Sequence, residues 1–138
     1  MHEHETDNDG RQICTTSGEA PSAVRDQQRV DGNKLHESYI VLCEEERKKG
    51  FVRPYRDAYR HIGRLETIIS DGRERADQPH EYTHRIGGCN AVTTMGRALS
   101  ETYARDPKFY GSTFCCGCNG HFPVDEFIWT ADGQPVGS

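Results

Sequence analysis

The sequence is poor in apolar residues and has no long apolar run. Only 33% of its residues are hydrophobic, and the mean hydropathy is −0.86. No run approaches the roughly 20 apolar residues that cross a bilayer, so we expect no membrane span. The first residues, Met1 to Asp7, are polar and acidic, and we expect no secretory signal. A core of so few apolar residues is marginal for 138 residues, which predicts one domain supplemented by a metal or a partner.

The chain also lacks a basic excess. Its net charge is −5 and its pI is about 5.8, so the whole chain has no bulk attraction to nucleic acid. Residues 1–35 contain no aromatic side chain and are rich in Asp, Glu, Gln, Ser, Thr and Gly, which is typical of a disordered segment. We therefore predict a disordered leader over residues 1–35 and a metal-binding domain over residues 36–138.

The residue patterns of the segment 36–138 predict an α+β fold with a short antiparallel sheet or hairpin and one main helix. The main helix is expected at about residues 93–105, with Thr93 or Thr94 as its cap, and a single helical turn is expected at residues 44–50. Apolar or alternating runs predict strands at residues 38–43, 55–62, 82–86 and 122–129. Asp132-Gly133 predicts a hairpin turn that returns through residues 134–136.

The most informative local pattern is the Cys-x-x-Cys pair formed by Cys115 and Cys118. Glycine and short spacing let the chain turn tightly, so that both sulfurs face one point, as in half of a structural zinc site. Cys116 points elsewhere because it is adjacent to Cys115, and we exclude it as a ligand. A knuckle that leads into a hairpin is typical of a zinc ribbon, so the predicted cofactor is Zn²⁺.

A closed zinc site needs four ligands, and the sequence offers several candidates for the other two. Cys89 is the first candidate for a third ligand, because Gly87-Gly88 before it gives the backbone freedom to turn. The histidine candidates are His61, His121 and His84, with His80 in the same loop as His84. Cys14 and Cys43 are isolated, and we predict free thiols in a reducing compartment.

Several different short motifs lie on the two sides of the stretch between Gly63 and Gly87. They lie at residues 51–54, 59–63, 93–98, 101–107 and 109–115. Over about residues 38 to 138 they resemble a family of small uncharacterised proteins encoded in bacteriophage and metagenomic phage genomes. The resemblance implies a ligand set of His61, Cys89, Cys115 and Cys118, which ranks His61 above His121. It also implies the cytoplasm of a bacterial host, and it implies no activity.

Three functions fit these patterns. The first is a protein-interaction module in which zinc supplements a small core and a protein partner binds the surface. The second is nucleic-acid binding by a zinc-ribbon-like protein through the basic and aromatic segment Arg53 to Arg64. The third is a zinc hydrolase that uses His80-Glu81-x-x-His84, a motif that works only on a helix. We favour the first, with no catalytic residues and no membrane partner.

Overall fold

The computed structural model describes residues 4–70 and 80–138, and this part of the chain is an α+β protein built from small antiparallel sheets. Its helices are α1 (Pro21–Asp31), α2 (Glu44–Arg47) and α3 (Arg97–Arg105), with a 3-10 turn at Val124–Glu126. Its strands are β1 (Glu5–Thr6), β2 (Gln12–Thr15), β3 (Ile40–Leu42), β4 (Ala58–His61), β5 (Gly63–Ser70), β6 (His80–Gly87), β7 (Val92–Thr94), β8 (Ser112–Cys115), β9 (Gly120–Pro123) and β10 (Phe127–Trp129). Among these described residues, no helix has the length and apolar composition that a bilayer span requires.

The N-terminal region is folded, which corrects the prediction of a disordered leader over residues 1–35. Strands β1, β2 and β3 form an antiparallel sheet, and α1 packs beside it. Ile13 and Val24 are 1% and 2% exposed, so two isolated apolar residues anchor an otherwise polar segment. Composition predicted disorder here because two buried apolar residues are too few to raise the hydropathy of the segment. Residues 1–3 lie outside the described residues.

A disulfide between Cys14 and Cys43 corrects the prediction that both are free thiols. The two residues lie 29 positions apart in sequence, but β2 and β3 are antiparallel neighbours and bring their Cα atoms to 5.3 Å. The disulfide also means that the cysteines of this chain are not all free thiols, as a reducing compartment would predict.

The core is centred on a second antiparallel sheet with the strand order β10-β4-β7. Its inner face carries large buried side chains, among them Tyr59, Phe127 and Trp129. Tyr103 from α3 packs on Trp129 with ring centroids 5.4 Å apart, nearly edge to face. The alternation of strand side chains sends His61 to this same inner face, where it is fully buried.

Helix α3 is shorter than the predicted helix at residues 93–105, and it is one of three helices in the described residues rather than a single main one. Thr93 and Thr94 do not cap it, because they belong to β7 and pair with Tyr59 and Ala58. Both threonines are β-branched and fit a pleated strand, so the helix begins after Gly96. The predicted turn at residues 44–50 corresponds to α2.

Strands β5 and β6 form a two-stranded hairpin, which we call the arm. The arm begins directly after His61 and Ile62 and ends before Cys89. Gly63 has φ +92°, and a Cβ there would lie 2.2 Å from the carbonyl oxygen of Ile86, so the base of the arm is packed backbone against backbone. The segment His80–Gly87 is thus a strand, which corrects the hypothesis that His80-Glu81-x-x-His84 is a helical zinc-hydrolase motif.

Strands β8 and β9 form a hairpin whose turn carries Cys116 to Asn119. Hydrogen bonds join this hairpin to the N-terminal region: the N–H of His121 donates to Asn33 Oδ1 at 2.8 Å, and Tyr39 Oη lies 2.9 Å from His121 Nε2. The N-terminal region also contacts the end of α3, because Arg11 Nη1 lies 2.6 Å from Asp106 Oδ2. The predicted return strand at residues 134–136 is reduced to a bridge between Ile128 and Pro135.

Candidate metal centre

Four side chains converge where three separate segments of the chain meet. His61 ends β4, Cys89 follows the arm, Cys115 ends β8, and Cys118 lies in the turn of the β8–β9 hairpin. The imidazole nitrogen and the three sulfurs all lie within 4.8 Å of one another, close enough to hold a metal ion. The structure thus brings together all four side chains that the sequence singled out as ligands.

The distances within this cluster suit a tetrahedral ion. Cys89 Sγ lies 3.3 Å from Cys115 Sγ, and His61 Nδ1 lies 3.7 Å from Cys89 Sγ and 3.4 Å from Cys118 Sγ. A tetrahedron with metal–sulfur bonds of about 2.3 Å and metal–nitrogen bonds of about 2.0 Å has edges of about 3.5 to 3.8 Å. These three separations fall within half an ångström of those edges, and all four ligand atoms lie within 4.8 Å of one another.

Glu126 fixes which nitrogen of His61 faces the sulfurs. Its Oε1 lies 2.9 Å from His61 Nε2, on the side of the ring away from the cysteines. Because an ionised carboxylate only accepts hydrogen bonds, Nε2 carries the proton and the lone pair of Nδ1 is left for a metal. The rings of Phe122 and Phe127 lie 4.7 Å from the imidazole and hold its plane.

The three thiols interact strongly with one another. Desolvation acts to raise the pKa of Cys89, but a backbone hydrogen bond with Ala91 and hydrogen bonds with Cys115 and His61 outweigh it and lower that pKa to about 6. Desolvation, hydrogen bonds with Cys89 and Cys115, and repulsion from their charges raise the pKa of Cys118 to about 12. Burial also raises the pKa of Cys115. The cluster therefore favours one thiolate, and a cation is needed to hold three.

The turn between Cys115 and Cys118 is shaped to let Cys89 approach. A Cβ on Gly117 would lie 2.7 Å from Cys89 Sγ and 2.6 Å from the Cβ of Ala91, so only glycine leaves room here. The backbone N–H of Cys118 points to Cys115 Sγ at 3.4 Å, and the N–H of Cys116 donates to Thr93 Oγ1 at 3.0 Å. These contacts hold the turn against β7.

The other sequence candidates lie elsewhere. Cys116 directs its sulfur to the carbonyl oxygen of Val92 at 3.3 Å, as expected for a residue that is no ligand. His121 has its Nδ1 2.9 Å from the carbonyl oxygen of Asn33 and its Nε2 on Tyr39, so both ring nitrogens are used in joining the hairpin to the N-terminal region. His84 lies in β6 opposite Glu66, within the arm.

The basic segment proposed for nucleic-acid binding is not a continuous surface. Arg56 is 5% exposed, pairs with Asp132 at 3.1 Å and stacks its guanidinium over Trp129. Tyr59 is 2% exposed in the core. Arg60 and Arg64 are exposed, so only part of the segment faces solvent.

Glu126 is the member of the candidate site that sequence reasoning missed. It lies 65 positions from His61, and a carboxylate that orients a histidine has no fixed spacing from it. The acidic pair Asp125-Glu126 before the apolar run at residues 127–129 is the only local signal, and it has no specificity.

No family model, no curated protein and no solved structure matches this chain. The resemblance to phage-encoded proteins, and the bacterial cytoplasm that it implies, therefore stay predictions from the sequence words.

Proposed function

We propose that this protein is a structural zinc protein in which Zn²⁺, bound by His61, Cys89, Cys115 and Cys118, holds the arm on the core as an interaction module. The observation that carries the proposal is the convergence of these four ligand atoms within 4.8 Å. Three thiolates and one imidazole are a donor set that suits Zn²⁺ in particular. Four protein ligands fill a tetrahedral ion, which favours a structural rather than a catalytic role.

The hydrogen bond between Glu126 and His61 supports the assignment. Histidines that bind metals generally donate their other ring N–H to a carboxylate or carbonyl, which sets the tautomer and raises the basicity of the ligand. The distance of 2.9 Å and the full burial of His61 reproduce that arrangement. A histidine that only filled the core would not need its second nitrogen to face the sulfurs of Cys89 and Cys118.

The position of the metal in the chain supports the interaction role. His61 and Cys89 stand immediately before and after the arm, so an ion that binds both closes the base of the arm. Cys115 and Cys118 then tie that base to the β8–β9 hairpin. The hairpin knuckle makes this half of the site similar to a zinc ribbon, whereas the other half comes from the arm rather than from a second knuckle.

Metal content and chelation test this proposal. We expect one zinc per chain in purified protein, and we expect a strong chelator to unfold the region around the site, because metal binding and folding are coupled. Cys118→Ser should lose the metal, while Cys116→Ser, an exposed cysteine in the same turn, should keep it. Metal-free protein whose unfolding responds neither to zinc nor to the chelator would overturn the proposal.

A further inference from the structure

A cavity of about 170 Å³ lies where the N-terminal region meets the core. Its walls come from β4, β7, β8, helix α3 and the segment between α1 and β3. Tyr59 and Tyr103 make it deep at one end, because they are almost fully buried, whereas Leu35 and Ser112 are exposed and mark its mouth. None of the four candidate metal ligands lines it, so the cavity is a second site, separate from the metal centre.

The lining of the cavity is uncharged. Among the described residues, no aspartate, glutamate, lysine, arginine or histidine lines it, and four tyrosines form much of its wall: Tyr39, Tyr59, Tyr103 and Tyr110. Desolvation by burial raises the pKa of all four phenols, that of Tyr59 to about 12. A charged ligand would meet the same unfavourable desolvation, so the site favours an uncharged one.

The deep tyrosines use their hydroxyl protons within the protein. Tyr59 Oη donates to the carbonyl oxygen of Phe114 at 2.5 Å. Tyr110 Oη donates to the carbonyl oxygen of Ile40 at 2.6 Å. A phenol has a single O–H, so neither tyrosine has a donor left for a ligand. What these residues offer to the cavity is therefore the surface of their rings, which packs well against another ring.

Polar groups that are free to bind a ligand lie at the mouth. Thr94 and Ser112 both line the cavity and are exposed, and neither hydroxyl bonds to another described residue. Met95 and Leu99 add aliphatic surface between the mouth and the tyrosines. The cavity is thus apolar with a few hydroxyls on one side, which is the usual composition of a small-molecule site.

We propose that this cavity binds a small uncharged ring compound, with its ring among the tyrosines and a single hydroxyl at Thr94 and Ser112. The volume suits such a ligand, because an apolar cavity of about 150 Å³ is large enough for benzene. A volume of about 170 Å³ therefore holds one six-membered ring with a short substituent. This ligand site goes beyond the interaction role of the zinc-bound arm.

Titration of the zinc-loaded protein with benzyl alcohol, followed by amide NMR shifts, tests the proposal. A molecule of this size binds weakly, so the series should extend to about 10 mM. We expect saturable shifts at residues 93–99 and 110–114 and none in β5, which does not line the cavity. Benzoate and benzylammonium keep the ring but carry a charge, so their Kd should be higher by about tenfold or more.

Leu99→Trp fills the cavity and should abolish the saturable shifts. Leu65→Trp is the matched control, since it makes the same change at an exposed position of β5 and should leave binding unchanged. Gly96→Phe is a second variant that keeps the core intact, because a Cβ there meets nothing within 4 Å and the φ of −71° suits any residue. It narrows the mouth and should weaken binding.

Three results would overturn the proposal. The first is the absence of saturable shifts with benzyl alcohol. The second is binding of benzoate or benzylammonium as tight as that of benzyl alcohol, which would mean that the site takes a charged ligand. The third is wild-type affinity in folded Leu99→Trp or in Gly96→Phe, which would place the ligand outside this cavity.

Discussion

The carboxylate of Glu126 lies 2.9 Å from Nε2 of His61, while Nδ1 of the same ring faces the sulfurs of Cys89 and Cys118. One buried imidazole therefore connects the 3-10 turn at Val124–Glu126 to the cysteine cluster. The contact sets the tautomer that a metal requires, and it gives a first prediction about metal affinity.

Glu126→Ala should weaken zinc binding by about 10- to 100-fold, because the imidazole loses the acceptor that orients it. Asp125→Ala is the matched control, since Asp125 is the exposed neighbour in the same turn and does not contact His61. Competition against a chromophoric chelator measures both affinities. Equal affinities for the two variants would show that the contact does not support the metal.

Gly117→Ala should weaken zinc binding by about tenfold, because ligands must be held within about half an ångström of their places. The added Cβ would lie 2.7 Å from Cys89 Sγ and would displace the sulfur. Gly111→Ala adds the same methyl group where nothing lies within 4 Å, and it should keep the wild-type affinity. An unchanged affinity for Gly117→Ala would contradict the tight approach of Cys89 Sγ to this turn in the metal-bound protein.

Zinc binding should become tighter as pH rises. The pKa of Cys89 is lowered to about 6, whereas the pKa of Cys118 is raised to about 12 and that of Cys115 is raised. At pH 7 the metal-free cluster therefore holds one thiolate, and forming three should release about two protons. Calorimetry in two buffers of different ionisation enthalpy counts those protons. Binding without proton release would contradict two ligand thiols that are protonated before the metal binds.

Cys14→Ser should destabilise the N-terminal region by removing the disulfide to Cys43. For a separation of 29 residues, the loss is expected to be about 3 to 4 kcal/mol in the free energy of unfolding. Denaturation of the oxidised protein measures it, with Cys116→Ser as the control for loss of a thiol. The zinc content should stay unchanged, because the disulfide and the cluster share no residue. Equal stabilities of the two variants would contradict a bridge in solution.

The parts of this molecule that follow from short-range chemistry were predictable. Cys115 and Cys118 are three residues apart, so a tight turn alone brings their sulfurs together. The acidic residues at the start of α2 likewise indicate its helical turn. Glu126 was not predictable, because its relation to His61 exists only once β10 pairs with β4. Ile13 and Val24 gave no signal either, since each is a single apolar residue among polar ones and gains its role through tertiary packing.

The most direct test of the account is the visible spectrum of the Co²⁺-substituted protein. Tetrahedral cobalt with thiolate ligands shows d–d bands and sulfur-to-metal charge transfer whose intensity follows the number of thiolates. The account predicts a tetrahedral spectrum with three thiolates that is unchanged in Cys116→Ser and loses intensity in Cys118→Ser. An octahedral spectrum, or loss of intensity in Cys116→Ser but not in Cys118→Ser, would contradict the site formed by His61, Cys89, Cys115 and Cys118.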